Sequence, residues 1–412
     1  MKRLRILVVS SDTYPPTRVD VSVLFGVELA ARGHEIDWIL QSEAACSRSY
    51  VTRWGSGQVW VGATDLGQSL ASRLCKHALA LANECRLFSR LWRGHYDAVE
   101  VKDKFLSGVF ALIASRLFRV RFIYWLSYPF PEHYLLRSQD RGARYPLLSR
   151  LRGLTFKVLL YRVLLPAADH VFVQSEQMRS DVCAQGIPMS KMTAVPMGVS
   201  VDMSAPIDAA RNRRLLPQGA PCVLYLGTLD KVRRLDFLIR AFAQVKASVP
   251  SSLLYIVGQG NHPEDEAHVR DEVARLDLQS SVVFVEHLPQ SEALKYVGEA
   301  DVCVSPFYPS PLLLSTSPTK LIEYMAMARA VVANDHPEQK RIIEESGAGL
   351  CVAYAEESFA AAIVSLLRDP EAAQRMGQKG RRYVLEHRAY GIIAAAVEKQ
   401  LLSVVERRCR TT

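Results

Sequence analysis

Three short segments of this chain carry residue types that hold phosphate. Ser315-Thr316-Ser317-Pro318-Thr319-Lys320 runs into a helical stretch, with Glu323 three residues beyond the lysine. Ser317 has the chemistry of an N-cap, and Pro318 suits the first helical position. Free amides in a first turn, with the Lys320 ammonium beside them, make a cradle for an anion. At a spacing of three, Lys320 and Glu323 share one helix face. The carboxylate either accepts from ribose hydroxyls or makes an ordinary surface ion pair. Gly227-Thr228-Leu229 follows an apolar run and precedes Asp230-Lys231-Val232-Arg233-Arg234. Gly227 lets a ligand approach the backbone, and the basic cluster at a helix start suits phosphate; a solvated loop is the plainer alternative. Gly258-Gln259-Gly260 is a second glycine turn, and tight packing is as good an account of it as a ligand.

Such groups need strands and helices to hold them. Apolar runs at Leu4–Val9, Glu35–Leu40, Ala98–Val101, Phe122–Trp125 and His170–Val173 read as strands in the first half, with helices such as Ser22–Arg32 and Leu106–Phe118 between them. A second series has strands at Val223–Leu226, Leu253–Val257, Val282–Val285, Val302–Ser305 and Val331–Asn334, with helices at Leu235–Ser248, Glu264–Leu276, Ser291–Glu299 and Pro318–Met327. This alternation predicts two α/β domains with parallel, doubly wound sheets facing across a cleft, with ligands at the carboxyl ends of the strands. The expected division is 1–198, 199–384, and C-terminal helices over 385–412 that pack back on the first domain.

The 412 residues exceed one ordinary core. No apolar run is long enough to span a membrane, and Ile6–Val9 is too short for a secretory signal, so a cytoplasmic location is expected. The eight cysteines form no CxxC pair, so neither a zinc site nor a disulfide framework is expected. The charge is uneven. Residues 1–200 hold 26 Lys and Arg against 16 Asp and Glu, a net +10, and the whole chain is +9. Within 116–162 there are ten basic and two acidic side chains. That local basicity suits an anionic partner. The stretch Arg144–Pro166 mixes arginines with many leucines, which fits a helix lying in a membrane interface or a core helix with snorkelling charges.

Taken together, these segments resemble a retaining glycosyltransferase of GT-B fold, from glycosyltransferase family 4. The resemblance runs through Tyr14-Pro15-Pro16, Arg32-Gly33-His34, Ala168–Ser175, Val195–Val199, Gly227–Leu229, Ile256–Gly260, Ala300–Pro306, Ser317–Ala326 and Val331–Asp335. It implies that the second domain binds a nucleotide sugar. Lys320, Arg233 and Glu323 then take the central roles, the first two on the diphosphate and the third on the ribose. Gly227, Thr228, Arg234, Gly258, His287, Leu288, Ser315, Thr316, Ser317 and Thr319 line the donor. Arg18, Asp103 and Ser127 face the acceptor. Three positions depart from the family pattern: Ser315 replaces the first glutamate of E-x7-E, Thr228 replaces an arginine, and Arg18-Val19-Asp20 replaces a glycine pair.

The implied function is metal-independent transfer of a hexose, with retention, to a growing lipid-linked oligosaccharide in bacterial polysaccharide synthesis. No cofactor is expected; a UDP-sugar comes first as donor and GDP-mannose second. The expected partners are the nucleotide sugar, an oligosaccharide or polyprenyl-diphosphate acceptor, and the anionic inner face of the cytoplasmic membrane, with no nucleic acid. A non-catalytic glycan-binding or partner subunit is the alternative, because of Ser315. An epimerase of the same fold matches the motifs less well, and a nucleic-acid binder leaves the phosphate cradle unexplained.

Overall fold

The computed structural model describes residues 2–67, 69–139, 145–200, 214–286 and 288–409. The chain divides into two compact units, Met1–Pro196 with Tyr390–Thr412, and Met197–Ala389.

The first unit is built on strands β1 (Arg5–Tyr14), β2 (Glu35–Ser42), β3 (Tyr50–Trp54), β4 (Gly57–Gly62), β5 (Ala98–Lys102), β6 (Arg121–Leu126), β7 (His170–Val173) and β8 (Met192–Ala194). They lie in the order β3-β4-β2-β1-β5-β6-β7-β8. All neighbours are parallel except β3 and β4. One face of the sheet packs on the helices Phe105–Leu117 and Leu159–Leu164. The other packs on Leu24–Leu29 and the C-terminal helix Tyr390–Cys409. That helix is tied down by polar contacts as well: Arg32 pairs with Glu398 at 2.9 Å, and His34 Nε2 meets the same carboxylate at 3.1 Å.

The second unit holds β9 (Cys222–Leu226), β10 (Leu253–Val257), β11 (Val282–Val285), β12 (Val302–Ser305), β13 (Ala330–Asn334) and β14 (Gly349–Val352). All are parallel, in the order β11-β10-β9-β12-β13-β14. In both sheets the chain starts at the centre, winds one way, then crosses to the other side. The reversal leaves a crevice beside β1 and β5 in the first unit and beside β9 and β12 in the second.

Several local expectations fail. Ser22–Arg32 is not one α-helix: Val19–Ser22 is a single turn and Leu24–Leu29 is wound as a π-helix. The leucine-rich stretch is helical without a gap, α over Pro146–Val158, π-helical over Leu159–Leu164 and α again over Leu165–Ala167. The hairpin β3-β4 and the strands β8 and β14 have no counterpart in the sequence reading. β3 and β8 are edge strands, and half-exposed edges carry a weak hydrophobic pattern.

Candidate functional site

In the second unit, Gly227 follows the end of β9 and Gly258 the end of β10. Both glycines have positive φ, 146° and 134°. The Gly227 amide donates to Val257 O at 3.0 Å, and the Gly258 amide to Val285 O at 3.0 Å. A Cβ on Gly258 would stand 2.2 Å from Gly227 O, so the two turns can stack only without side chains.

Lys320 reaches this place from the helix Thr319–Ala326. Its Nζ lies 3.2 Å from where a Gly227 Cβ would be. It donates to Tyr225 Oη at 2.8 Å, sits 4.0 Å from the Tyr225 ring centre and 5.5 Å from that of Phe307. Tyr225 Oη in turn donates to Thr228 O at 3.0 Å. Lys320 forms no ion pair among the described residues. Burial, then the nearby Arg233 charge, holds its pKa well below the usual lysine value, with Glu323 opposing. The helix itself is stitched to β9: Leu226 N–H donates to Tyr324 Oη at 2.7 Å.

Glu323 is buried on the same helix. Its Oε1 accepts from Gln290 Nε2 at 2.5 Å, and no ion pair joins it to Lys320. The ordinary surface ion pair weighed from sequence is therefore not what the fold builds. Burial raises the carboxyl pKa, while the Gln290 bond and Lys320 hold it down.

Arg233 closes a single 3-10 turn, Lys231–Arg233, and its guanidinium lies 5.6 Å from the Phe307 ring centre. It has no ion-pair partner among the described residues. Arg234 differs: in left-handed backbone, it turns back onto Asp236 at 3.3 Å and over Tyr308. Its charge is thus engaged with a carboxylate. The basic cluster itself forms the 3-10 turn that leads into the α-helix beginning at Asp236.

The start of the Lys320 helix also departs from expectation. Pro318, not Ser317, occupies the cap position, and no side chain caps the helix. Ser317 Oγ instead accepts from Met197 N–H at 3.0 Å. Thr319 is the first helical residue, and its amide donates to Ser317 O at 3.0 Å. Ser315 is buried, and Thr316 Oγ1 donates back to Leu313 O at 2.7 Å. Thr228 is exposed, and Leu288 packs against the unit's core cluster. His287 lies outside the described residues.

The loop from β12 to this helix is pinned by groups the sequence reading did not single out. Asn334 Oδ1 accepts from Phe307 N–H at 2.6 Å, and its Nδ2 donates to Phe307 O at 2.9 Å. His336 Nε2 meets Leu313 O at 2.8 Å. Gln339 donates to Ser305 O at 3.1 Å. Tyr225, Gln290, Phe307 and Asn334 thus shape the site. Each sits at or beside a strand end or a helix start, which is the one signal that could have found them.

In the first unit, Lys102 ends β5 and is buried. Its Nζ is 2.9 Å from Asp12 and 3.4 Å from Asp20. Arg18 grips Asp20 with two bonds, 3.0 and 2.7 Å. Asp103, in left-handed backbone, accepts from Ser127 N–H at 2.8 Å and from the Ser127 hydroxyl. Asp103 and Ser127 therefore satisfy each other in place of presenting free groups. Among the described residues no group of three His, Cys, Asp or Glu is placed to hold a metal ion.

Residues 24–198 match the family model described as the Glycosyl transferase 4-like domain, and residues 220–369 match Glycosyl transferases group 1. The chain belongs to glycosyltransferase family 4. It is 28% identical over 226 residues to the GDP-mannose-dependent alpha-(1-6)-phosphatidylinositol monomannoside mannosyltransferase of Mycolicibacterium smegmatis, a match covering 53% of this chain and 58% of that protein. The matched stretch spans less than two thirds of the length of this and several other curated relatives. Among solved structures, sucrose-phosphate synthase from Thermosynechococcus elongatus has a TM-score of 0.72 at 21% identity, over 97% of this chain and all 100% of that one. HepE from Anabaena, crystallised in complex with UDP, has a TM-score of 0.70 at 14% identity, over 97% and 100%. The fold of this family-4 chain is GT-B.

Within that family pattern, the structure brings Lys320, Gly227 and Gly258 to one crevice end, with Glu323 and Arg233 electrostatically coupled to the lysine. It directs Arg234 and Ser317 to other partners.

Proposed function

We propose that this chain is a nucleotide-sugar glycosyltransferase that moves a hexose, with retention, onto a lipid-linked oligosaccharide in bacterial polysaccharide synthesis, working at the inner face of the cytoplasmic membrane. One observation carries the reading: an ammonium without a carboxylate partner, Lys320, lies over the Gly227 backbone at the switch point of the second sheet.

A diphosphate entering that crevice meets Lys320 and Arg233. Neither must first leave a carboxylate, so both are preorganised for the charge that grows on the leaving group. Glu323, already held by Gln290, has a lone pair left for ribose hydroxyls. In the retaining course we favour, the acceptor hydroxyl attacks the anomeric carbon on the face the diphosphate leaves. The sugar C–O bond to the diphosphate breaks with its electron pair staying on the phosphate oxygen. That oxygen takes the acceptor's proton as the new glycosidic bond forms. Lys320 and Arg233 balance the leaving charge without a metal.

UDP is the first choice of nucleotide, supported by the HepE complex, and GDP-mannose the second, supported by the mannosyltransferase. The test incubates purified protein with UDP-, GDP- and ADP-sugars and a polyprenyl-diphosphate-linked acceptor. Transfer that is lost in Lys320→Ala supports the reading. A protein that binds none of these nucleotides sinks it. Binding without transfer or hydrolysis points to the non-catalytic subunit.

A further inference from the structure

We infer that the outer face of the segment Pro146–Leu164 in the first unit is a docking surface for an anionic lipid bilayer, entered shallowly by leucines. This gives the membrane part of the reading above a specific surface, and it is tested by binding alone.

Leu147, Leu151, Leu154 and Val158 recur at helical spacing along one face and are 80%, 64%, 47% and 60% exposed; Leu148 beside them is 63% exposed. The opposite face is anchored: Gly153 abuts Leu135, Phe156 stacks on Phe105 at 4.2 Å, and Leu160, Tyr161 and Leu164 are buried. The helix is therefore held as it is, with its leucines outward, and the core-helix alternative does not apply to this face. The neighbouring helix Phe105–Leu117 adds exposed Leu106, Ile113 and Leu117. A run of apolar side chains this long marks an interaction surface. In the second unit, by contrast, the exposed large hydrophobics among the described residues are Leu215, Val232 and Tyr308.

Charge selects the occupant. From residue 146 to 168 there is no acidic residue, while Arg150, Arg152, Lys157 and Arg162 lie among the leucines. Arg150 and Arg162 are exposed, as are Arg116 and Arg119 of the neighbouring helix and its end. In a two-fold dimer through this face the same arginines would meet one another, which costs affinity. Nucleic acid would leave the leucines in water. Anionic headgroups with acyl chains beneath them satisfy both features. No helix among the described residues is long and apolar enough to cross a membrane. The segment thus suits the plane of the interface.

The test sediments the full chain with vesicles of phosphatidylglycerol and phosphatidylcholine, and with phosphatidylcholine alone. Binding to the anionic vesicles only is expected, weakened by salt. Leu147→Ser/Leu151→Ser/Leu154→Ser should lose it by about tenfold or more, with unchanged thermal melting because these side chains are exposed. Arg150→Gln/Arg162→Gln should weaken it by about tenfold. Wild type that stays in the supernatant overturns the proposal, as does a triple-serine variant that binds like wild type. Self-association without lipid, abolished by the serines, would make a second copy the occupant and also overturn it. Loss of sugar transfer with vesicle binding intact would count against the acceptor reading and leave this surface standing.

Discussion

The two sheets wind alike, and each places a lysine at its switch point, yet the two lysines live in opposite electrostatic settings. Lys102 is closed in by Asp12 at 2.9 Å and Asp20 at 3.4 Å, with Arg18 on Asp20 as well. Lys320 touches a tyrosine hydroxyl and two aromatic rings. Rings attract a cation but do not neutralise it. Position in a doubly wound sheet therefore does not make an anion site by itself. What distinguishes the second unit is a basic group with no ion-pair partner among the described residues, the group that the proposed function assigns to the donor's diphosphate.

The sharpest way to break this comparison is to delete each lysine and watch different quantities. Lys320→Ala should lower transfer by about a thousandfold, the scale of a lost preorganised charge contact. It should leave the melting temperature unchanged or raised, since the buried Glu323 keeps its bond from Gln290. Steady-state kinetics and calorimetry check both; near-normal turnover would remove Lys320 from the reaction. Lys102→Met should do the reverse in urea unfolding. It takes the buried cation away from Asp12 and Asp20 and leaves them only Arg18, a loss of up to about 3–5 kcal/mol. If it unfolds like wild type, the closed network is not what holds that end of β1 and β5.

How much of this was legible in sequence follows the same line. The parallel strands around Val223–Leu226 and Val302–Ser305 were readable because central strands are continuous apolar runs bounded by glycine or proline. Gly227 and Gly258 were readable as turns, because only glycine fits backbone with such φ beside another chain. Lys320 and Glu323 were readable as one face of one helix. The partners were not. Nothing local tells Arg234 that Asp236 will fold back onto it, or Arg18 that Asp20 will take both of its bonds. Gln290 reaches Glu323 across 33 positions of chain and Tyr225 reaches Lys320 across 95, distances that topology alone sets. Ser317 failed as a cap for the same reason: a remote amide, Met197, claimed its hydroxyl.

The first unit also contains an uncompensated group of its own. Glu100 on β5 is fully buried two residues from Lys102, and neither carboxyl oxygen has a hydrogen-bond partner among the described residues. Burial pushes its pKa up to about 8 from an ordinary 4.5, with Lys102 pulling the other way. The unfolded chain releases this proton above about pH 4.5 and the folded one keeps it to about pH 8. Folded protein thus binds more protons in that window, and stability falls as pH rises through it. Glu100→Gln should flatten this dependence and add roughly 3 kcal/mol at pH 7. Denaturant unfolding at pH 5 and pH 8 decides it. An unchanged pH slope would mean that Glu100 finds a partner and that the first unit's charges are closed throughout.

The finest contrast concerns protons at the donor site. Burial holds Lys320 below its usual pKa and Glu323 above its own, so a ligand can move protons on both groups. If the donor binds as proposed, its diphosphate favours the ammonium and proton uptake, while a ribose hydroxyl on Glu323 favours the carboxylate and proton release. In wild type the two partly cancel. Glu323→Gln removes the release and isolates the uptake. Binding of a nucleotide sugar, whose diphosphate does not itself titrate near neutrality, is then measured by calorimetry in buffers of different ionisation enthalpy. The variant should take up a larger fraction of a proton than wild type as pH rises toward the unliganded lysine's pKa. Its affinity should fall with pH there by up to about tenfold per unit, the limit for one linked proton. Below that window Lys320 is already charged and the uptake should vanish. Lys320→Met in the same background should abolish it at every pH. If Glu323→Gln binds with no proton uptake anywhere, Lys320 is fully charged before the donor arrives, and the contrast with Lys102 reduces to geometry.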